Sequence, residues 1–338
     1  MLQWRGIDKD FVDTLLGKAG LGMNNYFKGI LYAALSAFIY GLSPWAVMFV
    51  LSHGGTELSS CFFRCLLSLP FAYLILLRLP KEERRLNRTE RKHMLILSSL
   101  FSITMMLLIS SYSLVGTGIA TTLHFSYPAF TLLICAVFYK ERIRPLAAGC
   151  VLLTLTGVVL CYSPGPIDNL LGTLIAFTSG FTYAWYMVYL SKSGMAKMHP
   201  IKLVFYLHIC MATIIGTVAF ATGNLPVQMP LQGWAVQLLL SVSLTLGATT
   251  LFPMGVRRIG PQRTAILSTF EPLTAIFMGI LTLAEPITGK NIVGMVLILL
   301  AVIILTVGDR KHGETEASQA MLVSPAEKCK SSLPFPQR

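Results

Sequence analysis

Long, unbroken apolar runs separated by short polar connections occupy most of this chain. Ten of them approach bilayer length: 28–50, 57–78, 93–112, 117–139, 145–163, 170–191, 201–222, 233–255, 262–284 and 289–308. A bilayer core takes about 20 mostly apolar residues as a helix. Barrel strands would instead alternate apolar and polar positions in segments of about ten residues. The expected fold class is therefore all-α integral membrane, with ten transmembrane helices. The first run is too long for the core of a cleavable signal and lacks a small-residue cleavage site, so it should remain as the first helix. Residues 1–27 read as a cytoplasmic N-terminal extension, with Met23 resembling a second start. The polar stretch 309–338 reads as a disordered cytoplasmic tail.

The runs repeat. Residues 115–143 and 259–287 align without a gap at an offset of 144, pairing Gly116 with Gly260, Pro128 with Pro272, Glu141 with Glu285 and Ile143 with Ile287. A second alignment, at an offset of 143, matches Gly29, Ala33, Ala37 and Gly41 with Gly172, Ala176, Gly180 and Ala184. Ser36, Phe38 and Tyr40 meet Ser179, Phe181 and Tyr183 at that same offset. Small residues every fourth position make a stripe on which another helix can pack closely in lipid. Whether this stripe is a rocking surface or ordinary packing stays open at this stage. The repeat unit is five runs, which divides the chain into 28–163 and 164–308.

Charge adds orientation. In the first copy of the motif the basic residues follow the apolar stretch (Lys140, Arg142, Arg144); in the second they precede it (Arg257, Arg258, Arg263). Seven more cluster at 78–92 and three at 192–202, whereas the alternate connections hold only Lys290. Basic residues stay on the cytoplasmic side. Both termini are therefore expected in the cytoplasm of a cell (plasma or inner) membrane, with the second copy inverted relative to the first. The formal charge of +12 is then a topology signal with some attraction for anionic lipid, and nucleic-acid binding is not expected. With 54% hydrophobic and 12% charged residues and a mean hydropathy of +0.67, no soluble class fits. Trp45, Tyr112, Tyr162 and Trp234 fall at the predicted outer interface, Tyr139 and Tyr189 at the inner one.

Two five-helix halves, the ATTLHFSYPAF…FYKERI stretch and its partner AILSTFEPLTAIF…LAEPI together resemble the EamA-type permeases of the drug/metabolite transporter superfamily. The resemblance covers about residues 28–308. It implies a ten-helix permease that moves small metabolites, often outward, and it specifies fold better than cargo.

Full charges inside a span cost about 2.5–3.5 kcal/mol each on insertion scales and call for a use or a partner. Two qualify near mid-membrane: Glu271, before Pro272, and Arg64 in the second run. Glu271 could take up a proton or bind an ammonium group while Arg64 holds a carboxylate; equally, the two could neutralise each other. Pro128 and Pro272 should kink their helices and free carbonyls toward a cavity. The repeat places Tyr127 where the other half has Glu271, and His124 where it has Ser268. His124 is a candidate for substrate binding or proton transfer, or a polar packing residue; His208 is a weaker one, with no visible partner. Tyr183, Trp185 and Tyr186 offer aromatic surface suited to an organic solute. Glu141 and Glu285, at helix ends, suggest capping.

Seven cysteines, six of them inside apolar runs, make no disulfide framework and no metal pair. No metal or cofactor is expected. The chain holds no GxxxxGK[ST], HExxH or GxSxG pattern, so neither ATP-driven transport nor an enzyme is anticipated. The reading is a secondary transporter acting as an exporter of a small organic metabolite such as an amino acid. It would work by alternating access at a midplane site between inverted repeats. A structural or sensory membrane protein, or an integral-membrane enzyme, is the alternative. The expected partners are the solute, the bilayer and protons, with a homodimer left open.

Overall fold

The computed structural model describes residues 25–140, 145–161, 167–195, 198–225, 228–259, 264, 267–268, 270–284 and 288–304. Residues 1–24, Glu141, Arg142, Arg144, Glu285 and the tail lie outside them. Among the described residues every regular element is a helix.

The elements are α1 (Asn25–Ser52), α2 (Glu57–Leu66), α3 (Leu69–Leu76), the single turn α4 (Lys81–Arg84), α5 (Arg88–Val115), α6 (Thr117–His124) and α7 (Tyr127–Tyr139). They continue with α8 (Pro145–Cys161), α9 (Ile167–Lys192), α10 (Pro200–Ala221), α11 (Leu231–Val242), a widened π-type turn (Ser243–Ala248), α12 (Thr249–Ile259), α13 (Phe270–Leu283) and α14 (Gly289–Ile304). Six helical stretches are long and apolar enough to cross a membrane: Tyr26–Ser52, Glu57–Leu76, Arg88–Val115, Thr117–Tyr139, Pro200–Ala221 and Leu231–Ala248. Ala148–Leu160, Phe270–Leu283 and Gly289–Ile304 are shorter apolar helices.

Local chemistry sets the boundaries. Thr56 and Asn87 each open a helix with a reciprocal cap: Ser59 N–H donates to Thr56 Oγ1, and Glu90 N–H donates to Asn87 Oδ1. Gly116, at φ +83, makes the sharp turn from α5 into α6.

The outer surface is apolar. Phe220 is 80% exposed and Leu239, Leu152 and Val159 each 67%, an arrangement that suits hydrocarbon and not water. Within the bundle, α1 packs on α11, the widened turn, α12 and α13, all from the second repeat. Helix α9, which opens the second repeat, packs on α5, α6 and α7 of the first. Each half thus lends its first helix to the other, and the small-residue stripes make the seats. A methyl on Gly29 would stand 2.6 Å from Ile259 Cγ2, and one on Gly172 2.6 Å from Leu114 Cβ.

The connections sort by end. Lys202 Nζ pairs with Glu90 at 3.1 Å, Tyr206 donates to the Arg84 carbonyl, and Lys192 lies over the Tyr139 ring. Arg258 lies over Tyr32, near the start of α1. At the opposite end Thr56 donates to the Asn224 carbonyl and Ser113 to Glu57. The basic connections among the described residues therefore gather at one end of the bundle.

Candidate functional site

The chain breaks its own helices around one interior space. Helix α2 ends two residues after Arg64; a turn at Leu67–Ser68 follows, held by Ser68 Oγ donating to the Cys65 carbonyl, before α3 begins. Helix α6 ends at His124, and α7 begins at Tyr127 with Pro128 in its first turn. The widened turn 243–248 delivers Thr249, a device common at functional sites. Helix α13 carries Glu271 in its first turn, with buried Pro272 next to it. Proline costs little in a first turn, where its missing N–H would lack a partner in any case. Pro128 therefore starts a new helix after a two-residue interruption and does not kink a continuous one.

Arg64 and Glu271 are both half-buried and within electrostatic reach of each other, yet no ion pair joins them. Neither makes a hydrogen bond among the described residues. Glu271 also acts electrostatically on Tyr40, Tyr112, Tyr127 and Tyr183. These groups come from α1, α5, α7 and α9, so the carboxylate points into the bundle. The lipid-facing stripe of α13 (Phe270, Leu273, Phe277 and Ile280) lies on another face. Around Arg64, α2 is clamped to α11: Ser60 Oγ donates to Gln237 Oε1 and Gln237 Nε2 donates back to the Ser60 carbonyl.

Aromatic rings form the wall. Tyr183 meets Tyr127 edge-on at 4.9 Å, His124 at 5.2 Å and Tyr186 in a stack at 5.8 Å; Phe101 stacks on Tyr186 at 4.8 Å. Trp185 turns away to pack on Phe138. The structure thus brings Arg64, His124, Tyr127, Tyr183, Tyr186 and Glu271 together. His208 is buried, with Nδ1 bound to the Val204 carbonyl at 2.8 Å. The Arg64 charge also acts on it electrostatically, an influence that spacing along the chain could not reveal.

Three wall residues escaped sequence reasoning. Tyr40 had a signal, its 143-residue register with Tyr183; its hydroxyl bonds Thr249 Oγ1 at 3.2 Å. Thr249 already donates to the Leu244 carbonyl, so Tyr40 must be the donor and offers the interior only lone pairs. Phe101 had none. Tyr112, expected near the outer interface, is only 4% exposed, because the face of α5 that carries it turns inward.

Among the described residues, the side-chain atoms both enclosed and without a hydrogen-bond partner are the hydroxyls of Ser98, Ser102, Thr121 and Ser126. The polar atoms of Arg64, Glu271, Tyr127, Tyr183 and Tyr186 also lack a partner among the described residues, but they are not enclosed. A guanidinium, a carboxylate and phenol groups around one space can bind an organic solute that carries both signs of charge. No group of histidine, cysteine and carboxylate side chains suited to a metal occurs among the described residues.

An all-helical bundle with apolar outer faces, broken helices and polar side chains turned inward is the architecture of a multi-pass membrane protein. The sequence matches the EamA-like transporter family twice, over residues 27–163 and 170–307, and the chain belongs to that family. An uncharacterized transporter of Synechocystis is 29% identical over 216 residues, 60% of this chain and 62% of that one. The human solute carrier family 35 member G1 is 26% identical over 193 residues, 53% of this chain and 52% of that one. The chain therefore matches less than two thirds of the length of either. An uncharacterized transporter of Archaeoglobus fulgidus is 27% identical over 80% of this chain and 93% of its own. A crystal structure shares the fold with a TM-score of 0.56, at 17% identity, over 83% of this chain and 98% of that one.

Proposed function

We propose that this protein is a secondary transporter that exports a small zwitterionic metabolite such as an amino acid. It would cross the plasma or inner membrane ten times as two inverted five-helix repeats, with both termini cytoplasmic. The observation that carries the reading is the unpaired Arg64 guanidinium and unpaired Glu271 carboxylate sharing one tyrosine-walled space. Arg64 holds the solute carboxylate, and Glu271 holds the ammonium group or, between cycles, a proton. The tyrosines enclose the carbon skeleton. Membrane-embedded charges left without a protein partner are expensive, and a bound zwitterion satisfies both at once. Broken helices around a midplane site support alternating access by rocking of one repeat against the other. The gathering of basic connections at one end supports the topology.

Transport by proteoliposomes tests this, with labelled amino acids and organic cations, with and without a pH gradient. Wild-type protein should move amino acids faster with the gradient, and Glu271→Gln should lose accumulation against the concentration gradient. Accumulation undiminished in Glu271→Gln would remove the carboxylate from coupling. Flux indifferent to pH would make the protein a facilitator.

A further inference from the structure

The hydrogen bonds behind His124 decide what its exposed nitrogen can do. Ser179 is fully buried and has a single hydroxyl proton, which it donates to the Ala176 carbonyl at 2.6 Å. The contact of 2.9 Å between Ser179 Oγ and His124 Nδ1 must then run the other way, with Nδ1–H as donor. In the neutral ring this leaves Nε2 as a bare lone pair. Among the described residues Nε2 has no partner, and it is not one of the enclosed unpartnered atoms. The ring lies 5.2 Å from that of Tyr183 and 6.0 Å from that of Tyr127, inside the aromatic wall.

Resting on the zwitterion reading above, we propose that His124 is the specificity-determining residue of this site. Its Nε2 selects solutes that carry a hydrogen-bond donor, such as a hydroxyl or an indole N–H, beside their charged groups. Ser179 is the positioning residue that keeps the proton on Nδ1. Binding a solute without a donor strips water from Nε2 and returns nothing, and a site built around a buried polar group rejects such an analogue. One hydrogen bond of this kind corresponds to roughly a tenfold preference. In Ser179→Ala the ring loses its fixed tautomer and should then tolerate acceptors as well as donors.

Two measurements on the full-length protein test this. The first is 15N NMR of histidine-labelled protein, with the His124 signals assigned by their loss in His124→Phe. Protonated Nδ1 with bare Nε2 in wild type, and mixed tautomers in Ser179→Ala, is the expected result. A proton on Nε2, or on both nitrogens, overturns the proposal. The second is competition in proteoliposomes within the pairs serine/alanine and tyrosine/phenylalanine. Wild type should favour the hydroxylated member about tenfold, and the ratio should fall toward one in His124→Phe whatever its absolute flux, while Ser179→Ala keeps it because a hydroxyl can bond either tautomer. An unchanged ratio in His124→Phe, or none in wild type, overturns the selection. If wild type moves none of the four, the transport reading falls and the selection with it, while the tautomer is still decided by NMR. Elution of each variant as the wild-type species in size-exclusion chromatography guards against misfolding.

Discussion

At the scale of single residues, the decisive question is what the two membrane charges do when no solute is bound. Arg64 and Glu271 are near enough to feel each other but are not paired, which separates two roles that residue type alone leaves together. If each serves a different end of the solute, Arg64→Ala and Glu271→Ala should each lower transport by at least tenfold. The double variant should then lose roughly the product of the two single effects, as independent sites do. A double variant no worse than either single one, read in the same transport assay, would make them a mutually neutralising pair. Residue-scale chemistry was partly legible in the chain. A charge within an apolar run stands out anywhere, and the repeat pointed to Tyr127 and His124. The tautomer of His124 was not legible, because it depends on Ser179, which lies 55 residues away.

At the scale of elements, the small residues act as seats for broken helices. A methyl on Gly41 would stand 2.6 Å from the Glu271 carbonyl oxygen, and one on Gly180 would stand 2.8 Å from that of His124 and 2.9 Å from Ser126 Oγ. Backbone atoms cannot swing aside as a flexible side chain can. Gly41→Val and Gly180→Val should therefore displace the segments that carry Glu271 and His124, at a cost of about 1–3 kcal/mol of overpacking. Detergent thermal melts should show a lowered midpoint for both, and transport should fall more than the loss of folded protein explains. Melts equal to wild type would mean that the helices separate without cost. The every-fourth-residue stripe was visible in the sequence, but its partner was not. Small-residue periodicity says that something packs closely; which helix it is depends on the path of the chain.

At the scale of the molecule, the basic connections share one end, tied by Lys202 to Glu90 and by Tyr206 to the Arg84 carbonyl. Arg88 is exposed at that end. Arg88→Cys in a cysteine-free background should react with an impermeant maleimide only after the membrane is opened. Labelling from outside intact cells would invert the proposed topology.

Hydropathy and charge are properties of successive residues, and membranes act on them locally. For that reason the all-helical class, the internal duplication and the sorting of basic connections could be read along the chain. Which side chains meet is a different matter. The exchange of α1 and α9 between the halves, the inward turn of Tyr112, the electrostatic influence of Arg64 on His208 and the recruitment of Tyr40 and Phe101 all arise where helices far apart in sequence pack face to face. In lipid that choice is made by close packing and hydrogen bonds between distant segments, so it appears only once the helices are assembled.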